Sequence, residues 1–145
     1  MKCLQVFEPG VDGVFRHVEG LTRFLVNRGH RVGLAYSSKR GSAALTDLVA
    51  NAESRNDPVV DMRVGNSPCP GDVRALLMIA REVTRWRPDV IHAHSSKAGV
   101  LGRAVARLTG IPTFYTPNAY YGMGTKRVPA KFLFNAVEKF FASVG

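Results

Sequence analysis

The sequence predicts an α/β fold built on a doubly wound parallel sheet. Two observations predict it. Short apolar runs of strand length alternate along the chain with amphipathic stretches of helical length. Polar and titratable residues gather where the apolar runs end, most clearly in Pro88-Asp89-Val90-Ile91-His92-Ala93-His94-Ser95-Ser96-Lys97-Ala98-Gly99. Open α/β sheets bind their ligands at the carboxyl ends of their strands, so this is the polarity such a sheet requires.

The elements follow in order. The first strand covers residues 2–7, and Val14, Val18, Leu21, Leu25 and Val26 space a helix over 14–28 that Gly29 stops. A second strand runs over 31–36, a helix over 42–52 and a third strand over 59–64. Residues 66–71, Asn-Ser-Pro-Cys-Pro-Gly, form a loop. Asp72 then caps a helix whose apolar face is Val73, Leu76, Leu77, Ile79, Ala80 and Val83. Pro88 ends that helix, and the fourth strand covers 89–94 with His92 and His94 on one face. A helix opening at Ser95-Ser96-Lys97 runs to Gly110, a fifth strand covers 112–116, and a last helix spans 129–142 from Pro129. Right-handed crossovers make 3-2-1-4-5 the expected strand order, a Rossmann-like arrangement. Strands one and four are then neighbours, and the loops after them open onto one crevice.

The bulk properties narrow the class. At 145 residues the chain can bury a core. No apolar run is long enough to span a bilayer, and the N-terminus turns acidic at Glu8, too soon for a signal peptide. Cys3 falls in a strand and Cys69 in the Pro-rich loop, so no disulfide framework is expected, and a cytoplasmic location is the default. Lys and Arg number 20 against 11 Asp and Glu, a net charge of +9 that favours anionic partners.

The motifs divide by chemistry. Gly10 and Gly13 allow the backbone to approach a phosphate at a helix start, although Gly-x-x-Gly is neither a dinucleotide fingerprint nor a P-loop, and a plain turn also uses glycine. His92 and His94 lack the further ligands a metal site needs. His92 is expected to be a hydrogen-bonded core histidine, and His94, at the strand tip, to contact substrate. Ser95, Ser96 and Lys97 combine hydroxyls, helix-start amides and a cation, a set that suits an anionic or polyhydroxylated ligand, while helix capping alone explains one serine. Ser37-Ser38-Lys39-Arg40 stands where an NADP-binding oxidoreductase would hold the 2′-phosphate, but no G-x-G-x-x-G accompanies it. The aromatic loop 116–124 and the basic, Phe-rich segment after it suit either a membrane-surface element or a packed helix.

Taken together, these residues resemble the N-terminal domain of family 4 glycosyltransferases, retaining enzymes of the GT-B fold. The resemblance rests on Glu8-Pro9, Gly13-Val14, Arg16-His17-Val18 and Leu25, and on Arg28-Gly29-His30-Arg31-Val32. It continues through Arg87-Pro88-Asp89-Val90-Ile91-His92-Ala93-His94-Ser95, Lys97-Ala98-Gly99, Gly110-Ile111-Pro112 and Tyr115-Thr116-Pro117. It implies transfer of a sugar from a nucleotide-sugar donor to a glycan or lipid-linked acceptor, with retention, in cell-envelope polysaccharide synthesis. It implies His94 as the catalytic residue at the donor sugar. Gly10, Asp12 and Gly13 would face the diphosphate and acceptor, and Ser95, Ser96, Lys97, Asn118 and Tyr120 would form the rest of the substrate site. No cofactor or metal and no nucleic-acid partner is expected. Two positions depart from the family pattern: Asp12 where a second glycine is common, and Asn118 where histidine often follows Thr-Pro.

The resemblance also implies that residues 1–145 form the acceptor-side half, the second, donor-binding domain being absent from the chain, so that the chain alone is inactive. The expected location is cytoplasmic, in weak peripheral contact with the anionic inner face of a membrane. Two other readings compete: an NADP-binding oxidoreductase domain, and a non-enzymatic basic module for anionic surfaces.

Overall fold

The computed structural model of the protein describes residues 1–8, 11–65 and 67–117, apart from the side chains of Asp12 and Arg40. Five strands form one parallel sheet: β1 (Lys2–Phe7), β2 (Arg31–Tyr36), β3 (Val59–Asp61), β4 (Val90–His94) and β5 (Thr113–Thr116). Their order is β3-β2-β1-β4-β5, as the crossover argument requires. Four helices connect them: α1 (Asp12–Asn27), α2 (Ala43–Ser54), α3 (Gly71–Trp86) and α4 (Ser96–Thr109). A short 3₁₀ turn spans Ser38–Arg40.

Alternation along β1 and β4 sorts side chains to two cores. Leu4, Val6, Ile91 and Ala93 join Ala75, Ile79 and Val83 of α3 and Ala98, Leu101 and Val105 of α4. Phe7, Val32 and Leu34 join Phe15 and Val18 of α1 and Leu45 and Leu48 of α2. Burying each of the Val, Leu, Ile and Phe side chains among these stabilises the fold by about 1.5–3 kcal/mol before entropy is counted. α4 lies very close to the sheet: a Cβ added at Gly102 would stand 2.9 Å from the Cβ of Ala93, and one at Gly99 would run into the Tyr115 ring.

Several boundaries differ from the sequence expectation. α1 begins at Asp12, so Gly13 belongs to its first turn and not to the loop. β3 stops at Asp61, although Met62 and Val64 beyond it are buried. Met62 N–H still donates to the Tyr36 carbonyl of β2, but Asp61 accepts hydrogen bonds from Ser38 N–H and from Arg63 N–H, and Arg63 turns left-handed (φ 51°), so the chain leaves the sheet after Met62 while its apolar side chains stay inside. Asp72 sits within the first turn of α3, whose N-cap is Pro70. Its carboxylate reaches back to accept from Cys69 N–H at 3.0 Å, satisfying one donor ahead of the helix. Gly29 (φ 77°) and Gly110 (φ 71°) end α1 and α4 in the left-handed region. The expected helix over 129–142 lies outside the described residues.

Candidate functional site

Register places the carboxyl ends of β1 and β4 side by side, with Gln5 opposite His92 and Phe7 opposite His94. Glu8 follows β1 directly and is buried. It accepts a hydrogen bond from Ser95 Oγ at 3.2 Å, which ties the two strand ends together. Ser95 adopts φ 72° and ψ 166°, a region that side chains avoid, at a cost of about 1–3 kcal/mol. Its N–H donates to the Thr116 carbonyl at 3.2 Å and its own carbonyl accepts from Gly99 N–H at 2.9 Å. Because its hydroxyl is spent on Glu8, Ser95 does not cap α4. The N-cap of α1, Val11, carries no side-chain hydrogen bond either. Two helix starts, with their orphan N–H groups and positive dipole ends, therefore border the crevice.

Three histidines line the α1 side of this edge. The His92 and His94 rings lie 4.0 Å apart, and His17 of α1 meets His94 edge-on at 5.4 Å. His92 Nε2 hydrogen-bonds the Thr116 hydroxyl at 2.9 Å. His94 Nε2 donates to Gln5 Oε1 at 2.6 Å. The depth order is the reverse of the sequence expectation: His94 is fully buried, His92 half-buried and His17 exposed. Being nearest the strand tip does not expose His94, because Gln5, His92 and His17 pack around its ring. Burial, then the neighbouring His92 and His17, push the His94 pKa down to about 3. Burial and His17 lower that of His92 as well. His94 is thus a neutral imidazole, and its Nδ1 and the Gln5 Nε2 are buried without a hydrogen-bond partner among the described residues.

Lys97 also differs from expectation. Its ammonium is engaged with Asp72 Oδ1 at 2.8 Å and with the Ser67 carbonyl, and its side chain is only 9% exposed. Burial raises the Asp72 carboxyl, but hydrogen bonds from Lys97 and Cys69 outweigh it and hold the group below its ordinary value. Lys97 fastens the start of α4 to the start of α3 and does not present an unengaged cation to the crevice. Ser96 is half-buried in the first turn of α4, and Gly13 is exposed in that of α1. Gly10, Asn118, Tyr120 and the Asp12 side chain lie outside what is described.

Sequence reasoning left Gln5, Glu8, His17 and Thr116 without site roles. A signal for Gln5 was present: it is the lone uncharged polar side chain inside the otherwise apolar stretch of Cys3 to Phe7. The described residues hold no group of three or more His, Cys, Asp or Glu arranged to take a metal ion, and no helix among them is long and apolar enough to cross a membrane. A cavity of about 440 Å³ lined by Glu53, Asp57, Glu82, Arg85 and Trp86 lies at the opposite end of the sheet from the crevice.

The family model described as Glycosyltransferase Family 4 matches residues 11–144. The chain belongs to glycosyltransferase family 4. It is 35% identical over 72 residues to the Escherichia coli UDP-Gal:alpha-D-GlcNAc-diphosphoundecaprenol alpha-1,3-galactosyltransferase, a match over 49% of this chain and 19% of that enzyme. Among solved structures, a putative UDP-N-acetylglucosamine 2-epimerase from Listeria monocytogenes superposes with a TM-score of 0.66 at 11% identity, over 97% of this chain and 36% of its own. The Neisseria meningitidis UDP-GlcNAc 2-epimerase bound to UDP-GlcNAc gives 0.65 at 13% identity, over 100% and 39%. Acinetobacter baumannii MurG gives 0.59 at 15%, over 79% and 34%. These likenesses establish the fold that this family 4 chain shares with them. The chain spans a fifth of the E. coli enzyme and little more than a third of the solved structures.

Proposed function

We propose that residues 1–145 are the acceptor-side domain of a retaining glycosyltransferase that works with a second, donor-binding domain lying outside them. The reading extends to a sugar moved from a UDP-linked donor to a lipid-diphosphate-linked glycan in cell-envelope polysaccharide synthesis. The observation that carries it is the family match across residues 11–144, laid over a crevice bordered by two helix starts without side-chain caps. Helix starts of this kind favour the diphosphates of donor and acceptor. His94 is neutral and buried, which suits a hydrogen bond to a sugar hydroxyl and not proton transfer. Positioning and charge stabilisation would carry the chemistry, with the leaving diphosphate assisting. The name of the E. coli relative supports the UDP donor and the polyprenyl diphosphate acceptor. The net charge of +9 supports weak, salt-sensitive peripheral contact with anionic membrane on the cytoplasmic side. The NADP reading loses ground at its own motif, because Ser38 N–H and Oγ are both taken by Asp61.

The test is transfer of label from UDP-galactose and UDP-GlcNAc to undecaprenyl-diphosphate-GlcNAc. Full-length protein carrying the second domain is expected to transfer with retention, read from the anomeric coupling of the product. The 145-residue chain alone is expected to transfer nothing measurable. Robust transfer by that chain would overturn the two-domain assignment, and saturable NADP binding without transfer would overturn the transferase reading.

A further inference from the structure

The described residues leave two polar side chains in the sheet interior half-satisfied, and they are hydrogen-bonded to each other. Gln5 and His94 are both fully buried. Gln5 Oε1 and His94 Nε2 are 2.6 Å apart, a short and therefore strong contact. An amide oxygen can only accept, so the proton in this bond belongs to His94 Nε2. A neutral imidazole carries one N–H, so Nδ1 is the unprotonated nitrogen.

We propose that Gln5 is a positioning residue that fixes His94 as the neutral Nε2–H tautomer, leaving the Nδ1 lone pair as the acceptor for a ligand hydroxyl. The consequence for transfer rests on the reading of His94 given above; the tautomer itself does not. The ring is enclosed by Gln5 of β1, His92 of β4 and His17 of α1. Burial and the two other histidines oppose a second proton, so His94 stays a hydrogen-bond acceptor and does not become a general acid. Nδ1 is buried among the described residues, and His17 is the exposed ring that meets His94 edge-on. The arrangement also accounts for the glutamine in β1. An apolar side chain there would pack as well, but it would leave the tautomer unset and both ring nitrogens in competition for the proton.

The direct experiment is long-range ¹H–¹⁵N NMR of the histidine rings in the protein near neutral pH. The expected result is the Nε2–H pattern for His94, and an Nδ1–H pattern or a tautomer mixture would overturn the proposal. It needs no variant and no activity. Gln5→Leu is expected to shift His94 towards a mixture and to lower kcat of the full-length enzyme about tenfold, the worth of one hydrogen bond. An unchanged tautomer in folded Gln5→Leu would overturn the role of Gln5. Gln5→Glu keeps an acceptor oxygen and is expected to keep the Nε2–H bond while raising the pH at which the ring protonates. A titration indistinguishable from that of the parent protein would count against direct contact in solution. If His94→Ala leaves turnover unchanged while the parent tautomer is Nε2–H, the transferase role of His94 falls and the Gln5 assignment stands.

Discussion

β4 divides two environments that are built on opposite principles. On one side Ile91 and Ala93 enter a core of apolar side chains from α3 and α4. On the other side His92 and His94 meet Gln5, Thr116 and His17 within a few ångströms, and two buried polar atoms find no partner among the described residues. Each side alternates with the other residue by residue along the same strand. The difference is confined to the carboxyl end of the strands: the α3/α4 face stays apolar there, while the α1 face, apolar elsewhere through Val18, Val32 and Leu34, turns polar. Buried polar atoms without partners are destabilising, and functional sites are one place where folds tolerate them.

That contrast can be broken most forcefully on the apolar face. Ile91→Ala should destabilise the protein by about 2–5 kcal/mol, through lost burial and the cavity left among α3 and α4 side chains. Urea denaturation measures it, and a loss below about 1 kcal/mol would mean that this core is looser than its burial indicates. The polar face should respond to acid instead. His94 takes a proton near 6.5 when unfolded and only near 3 when folded. The unfolded state therefore binds more protons within that window. Stability is fully present above 6.5 and is lost as pH falls towards 3, by about 1.4 kcal/mol per pH unit from this group. Denaturation at a series of pH values should show a shallower dependence in His94→Leu, and equal slopes would place the acid sensitivity elsewhere. The smallest effect is expected from replacing the pair together. Gln5→Leu with His94→Leu removes both half-satisfied groups, so the double variant should lie within about 1 kcal/mol of the parent protein while each single variant costs more. Additive losses in that cycle would mean the two side chains do not act as a pair.

The fold was legible because its signals are local and repeated. Apolar alternation and helical spacing marked β1, β2, α1 and α3, and crossover handedness then ordered the strands. β3 was overextended because Met62 and Val64 are apolar and buried, although the last backbone bond to β2 is the one from Met62 N–H to the Tyr36 carbonyl. Periodicity reports burial, and it does not report where backbone hydrogen bonding stops. The crevice was legible as a place, from the polar residues that follow β4. Its internal assignments were less so, because they depend on partners far apart in sequence. Nothing near Lys97 announces that Asp72, 25 residues earlier, will claim its ammonium. Nothing near His94 announces that Gln5, 89 residues earlier, will hold its ring, or that α1 will lay His17 over it.

The near contact between Gly102 and Ala93 has a bearing on how this sequence can change over time. With 2.9 Å to the nearest carbon for any new methyl group, neither position can grow unless the other shrinks. Gly99 and Tyr115 form a second such couple one helical turn earlier. Drift at these four sites should therefore proceed by exchange, bulk passing from helix to strand or back. Single gains in size would be filtered out by packing alone. A library that randomises Ala93 and Gly102 together should return compensated pairs far more often than the product of the two single-site frequencies.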